Sequence, residues 1–418
     1  MLHFLREYNI NKILLSHIGL WPLQSKFVRR LLPISLLILL ISFFLLQITT
    51  MFDCWKDKDI IFDICLIVAA MVIFIAKLWN ELFNYDTAQR LYEAMENHWN
   101  IFTSESEVRI LKNNSSKSRK CIKMYAILLY TAITIFLLTP FKPILLDIIS
   151  PLNESRERYF ATAFEVKIDM NKYYVPLLCY NTSVILAGVA VLIGTDSIFI
   201  TRIFHAYSLF YIINQHFKRI LTSDISIKDS EYYGHTNVYV NNEYYMNAML
   251  KSTREQEIYQ KFVICLKKHQ IALEFVDLLN SIYRLGTLIT ILTPCMVISL
   301  SGIQLIYVLD QIELVIKNVM IIVSVLTNLF VFCYFGQQLL NESQNVFHQA
   351  YAIEWYIFSL RIKSLLMITL QKSIIPCTLT AGKVLPLTMA TYATVSTTVL
   401  NVYLQYTKKH LCISLRSI

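Results

Sequence analysis

The chain has 418 residues, of which 56% are hydrophobic and only 16% are charged. Soluble proteins of this size carry more charge and fewer apolar residues, so the composition excludes an ordinary soluble protein and indicates a membrane protein. The net charge of +9 does not indicate a nucleic-acid-binding protein. The Lys and Arg residues are concentrated in loops beside the apolar segments, where anionic lipid headgroups attract them.

Seven apolar segments are long enough to cross about 30 Å of hydrocarbon as helices that rise 1.5 Å per residue. In chain order they are Leu31–Phe52, Ile60–Trp79, Met124–Phe141, Tyr173–Thr195, Leu285–Leu309, Asn318–Asn341 and Val384–Thr407. The second contains Asp63 and Lys77 near its ends, and the others contain no charged residue. The chain is therefore predicted to be an all-α membrane protein with seven transmembrane helices.

Basic residues predict the orientation of these helices. They cluster before the first segment and between the second and third, the fourth and fifth, and the sixth and seventh, which all lie on one side of the membrane. Because cytoplasmic loops retain Lys and Arg, the amino terminus is predicted to be cytoplasmic. Lys408, Lys409 and Arg416 are the exception, since an odd number of spans places this tail outside the cell.

The polar segments between the spans differ in length. Residues 81–118 and 216–268 are long, whereas Asp310–Glu313 is a short outer turn, so several spans are expected to continue as helices into the cytoplasm. Between residues 255 and 283, apolar side chains recur mostly at three- and four-residue steps, which predicts an amphipathic helix leading into the fifth span. Glu231–Leu250 shows no helical or strand period and is predicted to be a loop.

The last span carries a polar stripe. Thr391, Thr394, Thr398, Asn401 and Gln405 are separated by three or four residues and therefore lie along one face of a helix. In hydrocarbon such groups are costly unless they meet water or another polar group, so the stripe should face a water-filled path or a helix seam. Spacing alone leaves two interpretations open. The stripe lines a pore, or its threonines bond to their own helix carbonyls while Asn and Gln join helices.

The sequence contains no recognisable catalytic or metal site. The nine cysteines include no Cys-x-x-Cys pair, and His205, His216, His235, His269 and His348 lack metal-ligand spacing. Glycine is scarce, at eight residues, and forms no phosphate-binding loop. The chain is therefore predicted not to be an enzyme, and no metal or cofactor is expected.

The last third of the chain contains an ordered series of residues found in one family. A hydrophobic helix ends in Cys333-Tyr334-Phe335-Gly336-Gln337-Gln338-Leu339-Leu340, followed by the polar break Asn341-Glu342-Ser343, by Ala350-Tyr351 and Trp355-Tyr356, and by Pro376-Cys377-Thr378-Leu379-Thr380-Ala381-Gly382. Upstream, the series includes His269, Leu273, Phe275, Leu279 and Tyr283. In order and spacing it resembles the insect odorant receptors, which are seven-helix subunits of ligand-gated cation channels.

The resemblance implies that helices four to seven extend into a cytoplasmic anchor domain where subunits meet. Tyr351, Trp355 and Tyr356 then become candidate subunit-interface residues, with packing inside the chain as the alternative. The implied regions are a cytoplasmic segment (1–30), transmembrane helices one to four with the ligand pocket (31–215), a cytoplasmic loop and helix extension (216–270), helices five and six (271–341), a cytoplasmic anchor helix (342–380), the pore-lining helix (381–407) and an extracellular tail (408–418).

The resemblance also implies a ligand and partners. Family members bind small organic molecules in a mostly apolar pocket among helices two, three, four and six, and they pair with a shared coreceptor subunit in a tetramer. Candidate ligand-binding residues here are Tyr130, Thr134, Phe136, Ser183, Leu186 and Asn318. Walls rich in branched aliphatic residues favour a lipophilic odorant or pheromone with at most one polar group. Membrane lipid is a further expected partner, and nucleic acid is not.

In this family the last helix lines the pore, which favours the pore interpretation of the polar stripe. Most members have a Ser-Tyr or Thr-Tyr pair near the end of this helix, whereas this chain has Asn401-Val402. The resemblance therefore does not identify the gate residue. The implied location is the cell membrane of an olfactory neuron dendrite. Asn153 heads an Asn-x-Ser triplet in an outer loop and is a candidate glycosylation site.

Three other classes share some of these features. Insect gustatory receptors are near relatives with a comparable hydropathy profile. A G-protein-coupled receptor begins outside the cell, and the chain lacks both its acidic-Arg-aromatic triplet and its Asn-Pro-x-x-Tyr break. A transporter would show inverted halves with broken helices and buried charges, and no such repeat is visible.

Overall fold

The computed structural model describes residues 6–56, 58–150, 156, 160, 162, 170–232, 240–307, 312–382 and 384–414. Within these residues the fold is all-α apart from one short hairpin, which confirms the predicted class. The helices are α1 (Asn9–His17), α2 (Lys26–Asp53), α3 (Lys58–Phe83), α4 (Tyr85–Ile101), α5 (Glu105–Leu138), α6 (Lys142–Ile149), α7 (Met170–Tyr232), α8 (Val240–Tyr307), α9 (Ile312–Tyr351), α10 (Leu360–Ser373) and α11 (Met389–Ser414). Short 3-10 turns lie at Thr139–Phe141 and Trp355–Ile357, and strands β1 (Thr380–Ala381) and β2 (Leu385–Pro386) pair antiparallel.

Six helical stretches among the described residues are long and apolar enough to cross a membrane. They are Lys26–Asp53, Ile60–Phe83, Glu105–Phe141, Tyr173–Ile220, Thr253–Leu305 and Leu314–Tyr351. Each contains all or most of one of the first six predicted spans. The seventh predicted span corresponds to α11, which is not in this group. The count of seven spans and the cytoplasmic position of the amino terminus therefore stay predictions.

Two helices are much longer than a membrane is thick. The 63 residues of α7 and the 68 residues of α8 correspond to about 95 Å and about 100 Å at 1.5 Å per residue. Both therefore continue well beyond the hydrocarbon, as the long polar segments predicted. The predicted loop at Glu231–Leu250 is wrong for its described residues, since α7 extends to Tyr232 and α8 begins at Val240. Residues 233–239 of this prediction lie outside the described residues. The many Tyr and Asn residues there hide the helical period that hydrophobic spacing would reveal.

Helix α7 lies at the centre of the bundle. In its most apolar window 83% of the residues are buried, compared with 11–50% in the other candidate spans. Two glycines permit the close packing around it. A Cβ at Gly188 would lie 2.4 Å from the Phe74 ring, and a Cβ at Gly194 would lie 2.6 Å from Ile18. Helix α7 is therefore the element on which the neighbouring helices are assembled.

The amino-terminal segment is fixed to this central helix. Asn11 on α1 accepts a hydrogen bond from Thr201 at 3.1 Å and donates to Ser197 at 3.5 Å. Leu15, Ile18 and Trp21 are buried in the main core. The segment 1–30, as far as it is described, therefore packs against α7 rather than extending away from the bundle.

The polar triplet Asn341-Glu342-Ser343 does not interrupt the helix. Helix α9 continues to Tyr351, and the chain turns only between α9 and α10. Asn214 on α7 donates to the Glu342 carboxylate at 2.8 Å, and the Ser343 hydroxyl accepts from the Cys377 amide at 2.8 Å. The triplet is helical because tertiary partners satisfy its side chains. The predicted boundary between a span at 271–341 and an anchor helix at 342–380 therefore falls inside a continuous helix.

The entry to α11 is packed tightly against α9. Gly382 has a φ of 64°, which allows the chain to turn between β1 and β2. Leu387 follows this hairpin and lies directly on Gly336, where a Cβ would be only 2.2 Å from the Leu387 carbonyl oxygen. Gln337, the next residue of α9, accepts a hydrogen bond from the Met389 amide at 3.2 Å. The first turn of α11 is thus positioned by Gly336 and Gln337.

Substitution of Gly336 with alanine should displace this entry segment and lower the free energy of unfolding by about 1–3 kcal/mol, since a backbone atom occupies the space. The measurement is the apparent melting temperature of the purified chain in detergent. Gly286→Ala is the matched control, because a Cβ there would meet the movable Asn80 side chain at 3.1 Å. Equal melting temperatures for Gly336→Ala and the unmodified chain would contradict the packing.

Candidate functional site

The polar stripe of the last span lies on the exposed side of α11. Thr394, Thr398 and Asn401 are exposed, whereas Thr391 is partly buried and its hydroxyl donates to the Pro386 carbonyl at 2.6 Å. The side chain of Gln405 lies outside the described residues. Three of the five predicted pore-lining residues are therefore directed away from the chain's own bundle.

The opposite face of α11 is apolar and packs on the bundle. Tyr392 and Val395 contact the main core, and the Tyr392 ring meets Phe330 edge-on with centroids 5.6 Å apart. The hydroxyls of Thr394 and Thr398 also bond to carbonyls one turn earlier, at 2.9 Å and 2.7 Å. Both interpretations of the stripe thus have a structural counterpart, because back-bonding satisfies the hydroxyls while the side chains stay exposed.

Thr397 belongs to the same exposed face and was missed in the sequence. It is exposed, and its hydroxyl bonds to the Ala393 carbonyl at 2.8 Å. Its spacing of three residues from Thr394 and four from Asn401 was the available signal. The exposed polar stripe of the structure is therefore Thr394, Thr397, Thr398 and Asn401.

The six candidate ligand-binding residues do not share one environment. Tyr130, Thr134, Ser183 and Leu186 are exposed on the outside of the chain, Phe136 is partly buried, and Asn318 is fully buried. The hydroxyls of Thr134 and Ser183 bond to carbonyls of their own helices at 2.7 Å. Asn318 likewise donates to the Leu314 carbonyl at 3.0 Å. Their role in ligand binding stays a prediction.

Near Asn318, an ion pair joins α3 to α9. Lys317 donates to one oxygen of Asp63 at 2.7 Å, and Gln304 on α8 donates to the other at 2.8 Å. The side chains of Asp63 and Lys317 are 20% and 26% exposed, so this pair is partly accessible. Asp63, which the sequence showed only as a charge near the end of a span, therefore has partners on two other helices.

A second and more buried group of charges crosses the bundle further along the same helices. Lys77 on α3 forms an ion pair with Asp196 on α7, and their side chains are 8% and 1% exposed. Tyr125 on α5 donates to the other Asp196 oxygen at 2.6 Å, and Asn328 on α9 donates to that oxygen at 3.1 Å. One carboxylate thereby joins four helices.

Arg202 lies six residues after Asp196 on α7 and extends this group. It is 1% exposed, donates to Glu81 on α3 at 3.3 Å and contacts the hydroxyl of Tyr283 on α8. Tyr283 itself donates to Glu81 at 3.1 Å. The Arg202 guanidinium also lies 5.2 Å from the ring centroid of Tyr92 on α4. Burial raises the pKa of the Tyr92 hydroxyl, so the guanidinium meets a neutral ring.

We call Lys77, Glu81, Asp196 and Arg202, with their hydrogen-bonding partners Tyr125, Tyr283 and Asn328, the buried charged cluster. Its two cations and two carboxylates balance, and their pairing offsets part of the cost of removing them from water. A cavity of about 30 Å³ lies beside the cluster, where it is lined by Lys77, Glu81 and Asp196 and also by Thr195, Thr287 and Thr290. That volume and polarity suit one or two water molecules.

The sequence did not reveal this cluster. Lys77 and Asp196 were visible as charges near the ends of two spans, but they are 119 positions apart, and Tyr125 and Asn328 resemble ordinary span residues. The available signal was that charges beside membrane spans are rarely left unpaired. Which charge pairs with which depends on how the helices are arranged in space.

The candidate subunit-interface residues lie on the surface. Tyr351, Trp355 and Tyr356 are 64%, 48% and 59% exposed, and the neighbouring Ile357 and Leu360 are 52% and 82% exposed. Packing inside the chain, the alternative for these aromatic side chains, therefore accounts for only part of their surface. Contiguous exposed apolar side chains of this size mark interaction surfaces.

Comparison with known proteins identifies the family. A model of the family described as 7tm Odorant receptor matches residues 58–399. The chain belongs to the insect odorant receptor family. It is accordingly a multi-pass membrane protein, and the family is one of receptors rather than enzymes.

Individual relatives match over shorter stretches. Odorant receptor 67a of Drosophila melanogaster is 30% identical over 136 residues, which is 32% of this chain and 33% of that protein. Odorant receptor 22b of the same fly is 26% identical over 137 residues, 33% of this chain and 34% of that protein. The aligned stretch thus spans about a third of the curated relatives.

Two solved structures share the fold over almost their whole length. The olfactory receptor OR5 of Machilis hrabei in complex with eugenol has a TM-score of 0.73, with 97% of this chain and 99% of that chain covered at 10% identity. A second structure of the same receptor has a TM-score of 0.72 at 12% identity, over 97% of this chain and 98% of that one. At this identity the likeness establishes the fold alone.

Neutralising one member of the Lys77–Asp196 pair should be more damaging than neutralising both. Lys77→Gln leaves the Asp196 carboxylate buried without its cation, which costs about 3–5 kcal/mol, whereas adding Asp196→Asn removes the orphaned charge. The measurement is the apparent melting temperature in detergent, together with the amount at the cell surface. A double variant as unstable as the single variant would contradict a buried ion pair.

Proposed function

We propose that the chain is the odorant-binding subunit of a non-selective cation channel, in which it pairs with a coreceptor subunit in a tetramer. Membership of the odorant receptor family and the likeness to a receptor solved with eugenol support this assignment. The observation that carries it is the exposed polar stripe on α11, opposite a face that packs on the bundle. A stripe so placed is available to line a path shared with neighbouring subunits.

The chemistry of the stripe suits weakly selective permeation. Thr394, Thr397, Thr398 and Asn401 offer hydroxyls and an amide, without rings of charge or carbonyl oxygens that select sharply among ions. Because the threonine hydroxyls are already bonded to helix carbonyls, they present oxygen lone pairs to water without an unsatisfied donor. Hydrated cations could pass such a surface with little discrimination.

The surface around Trp355 supports assembly with other subunits. Tyr351, Tyr356, Ile357 and Leu360 form with it an exposed apolar region between α9 and α10. In a tetramer this region would be covered, which removes the cost of exposing it to water. We assign it as the contact with the coreceptor subunit, in the location expected for the cytoplasmic anchor.

The ligand we propose is a small lipophilic odorant or pheromone with at most one polar group. The segments that contain Tyr130, Phe136, Ser183, Leu186 and Asn318 are rich in branched aliphatic side chains, which favour contact area over directed hydrogen bonds. The membrane of an olfactory neuron dendrite is the proposed location. Asn153, the proposed glycosylation site, lies outside the described residues.

Cysteine accessibility tests the pore assignment. Single cysteines at Thr394, Thr398 and Asn401 should react with a charged methanethiosulfonate reagent and reduce the cation current, because these side chains would line the permeation path. A cysteine at Tyr392, which packs on the bundle, is the matched control and should react slowly. Unreactive cysteines at the first three positions, or modification that leaves the current unchanged, would refute a pore lining.

Coexpression tests the subunit assignment. Cells that contain the chain and a coreceptor subunit should show an odorant-evoked cation current that is absent when either protein is expressed alone. A panel of volatile phenols, alcohols, esters and ketones, including eugenol, serves as the probe. Substrate-coupled uptake by this chain alone, without such a current, would indicate a transporter instead.

A further inference from the structure

Residues 280–284 of α8 form about one and a half turns that contact both the buried charged cluster and the hairpin that leads into α11. Asn280 donates to the Thr378 carbonyl at 2.9 Å and accepts from the Thr380 amide at 3.2 Å. The Arg284 carbonyl accepts from the Gly382 amide at 2.8 Å. The hairpin and Thr378 just before it are therefore bonded through their backbone to residues 280–284 of α8 by three hydrogen bonds.

Residues on the same face of α8 also contact the charged cluster. Tyr283 contacts both Arg202 and Glu81, and Thr287, one turn further on, lines the cavity beside the cluster. Phe199 on α7 packs edge-on against Tyr283 with centroids 4.8 Å apart. A displacement of α3 or α7 at the cluster would therefore reach the segment of α8 that holds the hairpin.

Helix α9 makes a second connection of the same kind. The Lys77 ammonium lies 4.7 Å from the ring centroid of Phe332, which in turn stacks on Phe199 at 4.4 Å. One turn after Phe332 on α9 comes Gly336, which is in contact with Leu387 at the entry to α11. Helices α8 and α9, which both contact the segment leading into α11, therefore also contribute residues to the charged cluster, namely Tyr283 and Asn328.

The cluster is suited to transmit motion because its interactions are few, strong and directional. Charges buried in a region of low dielectric interact strongly with their partners, and a helix that moves away leaves a partner unpaired at high cost. Such an arrangement favours discrete alternatives, in which helices shift together or exchange partners, over gradual deformation. The cavity beside it provides space for a side chain or water to move.

We propose that the buried charged cluster couples odorant binding to the opening of the pore helix, with Tyr283 as the positioning residue between the cluster and the hairpin. The inference rests on the proposed function, because it requires an odorant-gated current. Helices α3, α5, α7 and α9, which include the predicted ligand-binding segments, meet at Asp196. Their relative displacement is passed through Arg202, Glu81 and Tyr283 to residues 280–284 of α8, and from there to the start of α11.

The Asp63–Lys317 pair offers a matched control. It joins α3 to α9, two of the helices that also meet at Asp196, by the same kind of ion pair, with Gln304 of α8 as a third member. It lies 14 residues earlier on α3 than Lys77, which is about 21 Å along the helix at 1.5 Å per residue. Its side chains are partly exposed, and its described hydrogen bonds do not include the residues that contact the hairpin.

The experiment measures current in cells that contain the chain and its coreceptor subunit. Two variants test the cluster: Tyr283→Phe, which removes one hydroxyl and keeps the ring, and the charge-neutral pair Lys77→Gln with Asp196→Asn. The control is Asp63→Asn with Lys317→Gln. The odorant is the panel compound that evokes the largest current from the unmodified pair, and currents are compared at equal surface labelling. Ligand-free current is recorded by replacing extracellular sodium with N-methyl-D-glucamine.

Tyr283→Phe and the double cluster variant should each raise the half-maximal odorant concentration about fivefold or more, the lower end of measured allosteric couplings. The control variant should shift it less than twofold. Unchanged odorant responses and ligand-free currents in Tyr283→Phe would overturn the proposal, and so would an equal shift in the control. If the double variant does not reach the cell surface, the odorant response of Tyr283→Phe alone tests the proposal. Absence of odorant-evoked current from the unmodified pair would instead refute the proposed function.

Discussion

The pairing of charges inside the bundle is the constraint on which the rest of this structure depends. Asp196 and Arg202 lie on the central helix α7, at 1% exposure each. Neither charge is tolerable there without a partner, because an isolated ion loses several kcal/mol of hydration energy when it is buried. Their partners Lys77 and Glu81 both come from α3, one turn apart. The two pairs therefore fix the register of α3 against α7 as well as their proximity.

The central position of α7 explains how the other helices are arranged. Gly188 and Gly194 on α7 allow close approach of α3 and of the segment after α1. The ion pairs between α7 and α3 specify that these two helices are neighbours. Helix α11, by contrast, is held at its first turn by α9, follows a hairpin that is bonded to α8, and packs on the bundle through one face. An element attached in this way presents its other face outward, where a neighbouring subunit or a pore would meet it.

Much of the fold was predictable because hydrophobic length is a local property of the sequence. The all-α class and six of the predicted spans followed from apolar segments, and the extension of α7 and α8 beyond the membrane followed from the long polar stretches beside them. Boundaries were less predictable. The triplet Asn341-Glu342-Ser343 was interpreted as a break, yet α9 passes through it, because Asn214 and Cys377 provide hydrogen bonds that no local pattern reveals.

The sequence by itself determined that this is a membrane protein of the odorant receptor family and that polar side chains share one face of the last helix. Both follow from the composition of the chain and from the order and spacing of its residues, which can be read without knowledge of the fold. Only the tertiary structure decided that this polar face is exposed, that Thr397 belongs to it, and that Lys77, Glu81, Asp196 and Arg202 form one cluster. The physical reason is that electrostatic pairing depends on distance in space, and residues more than a hundred positions apart become neighbours only when the helices pack.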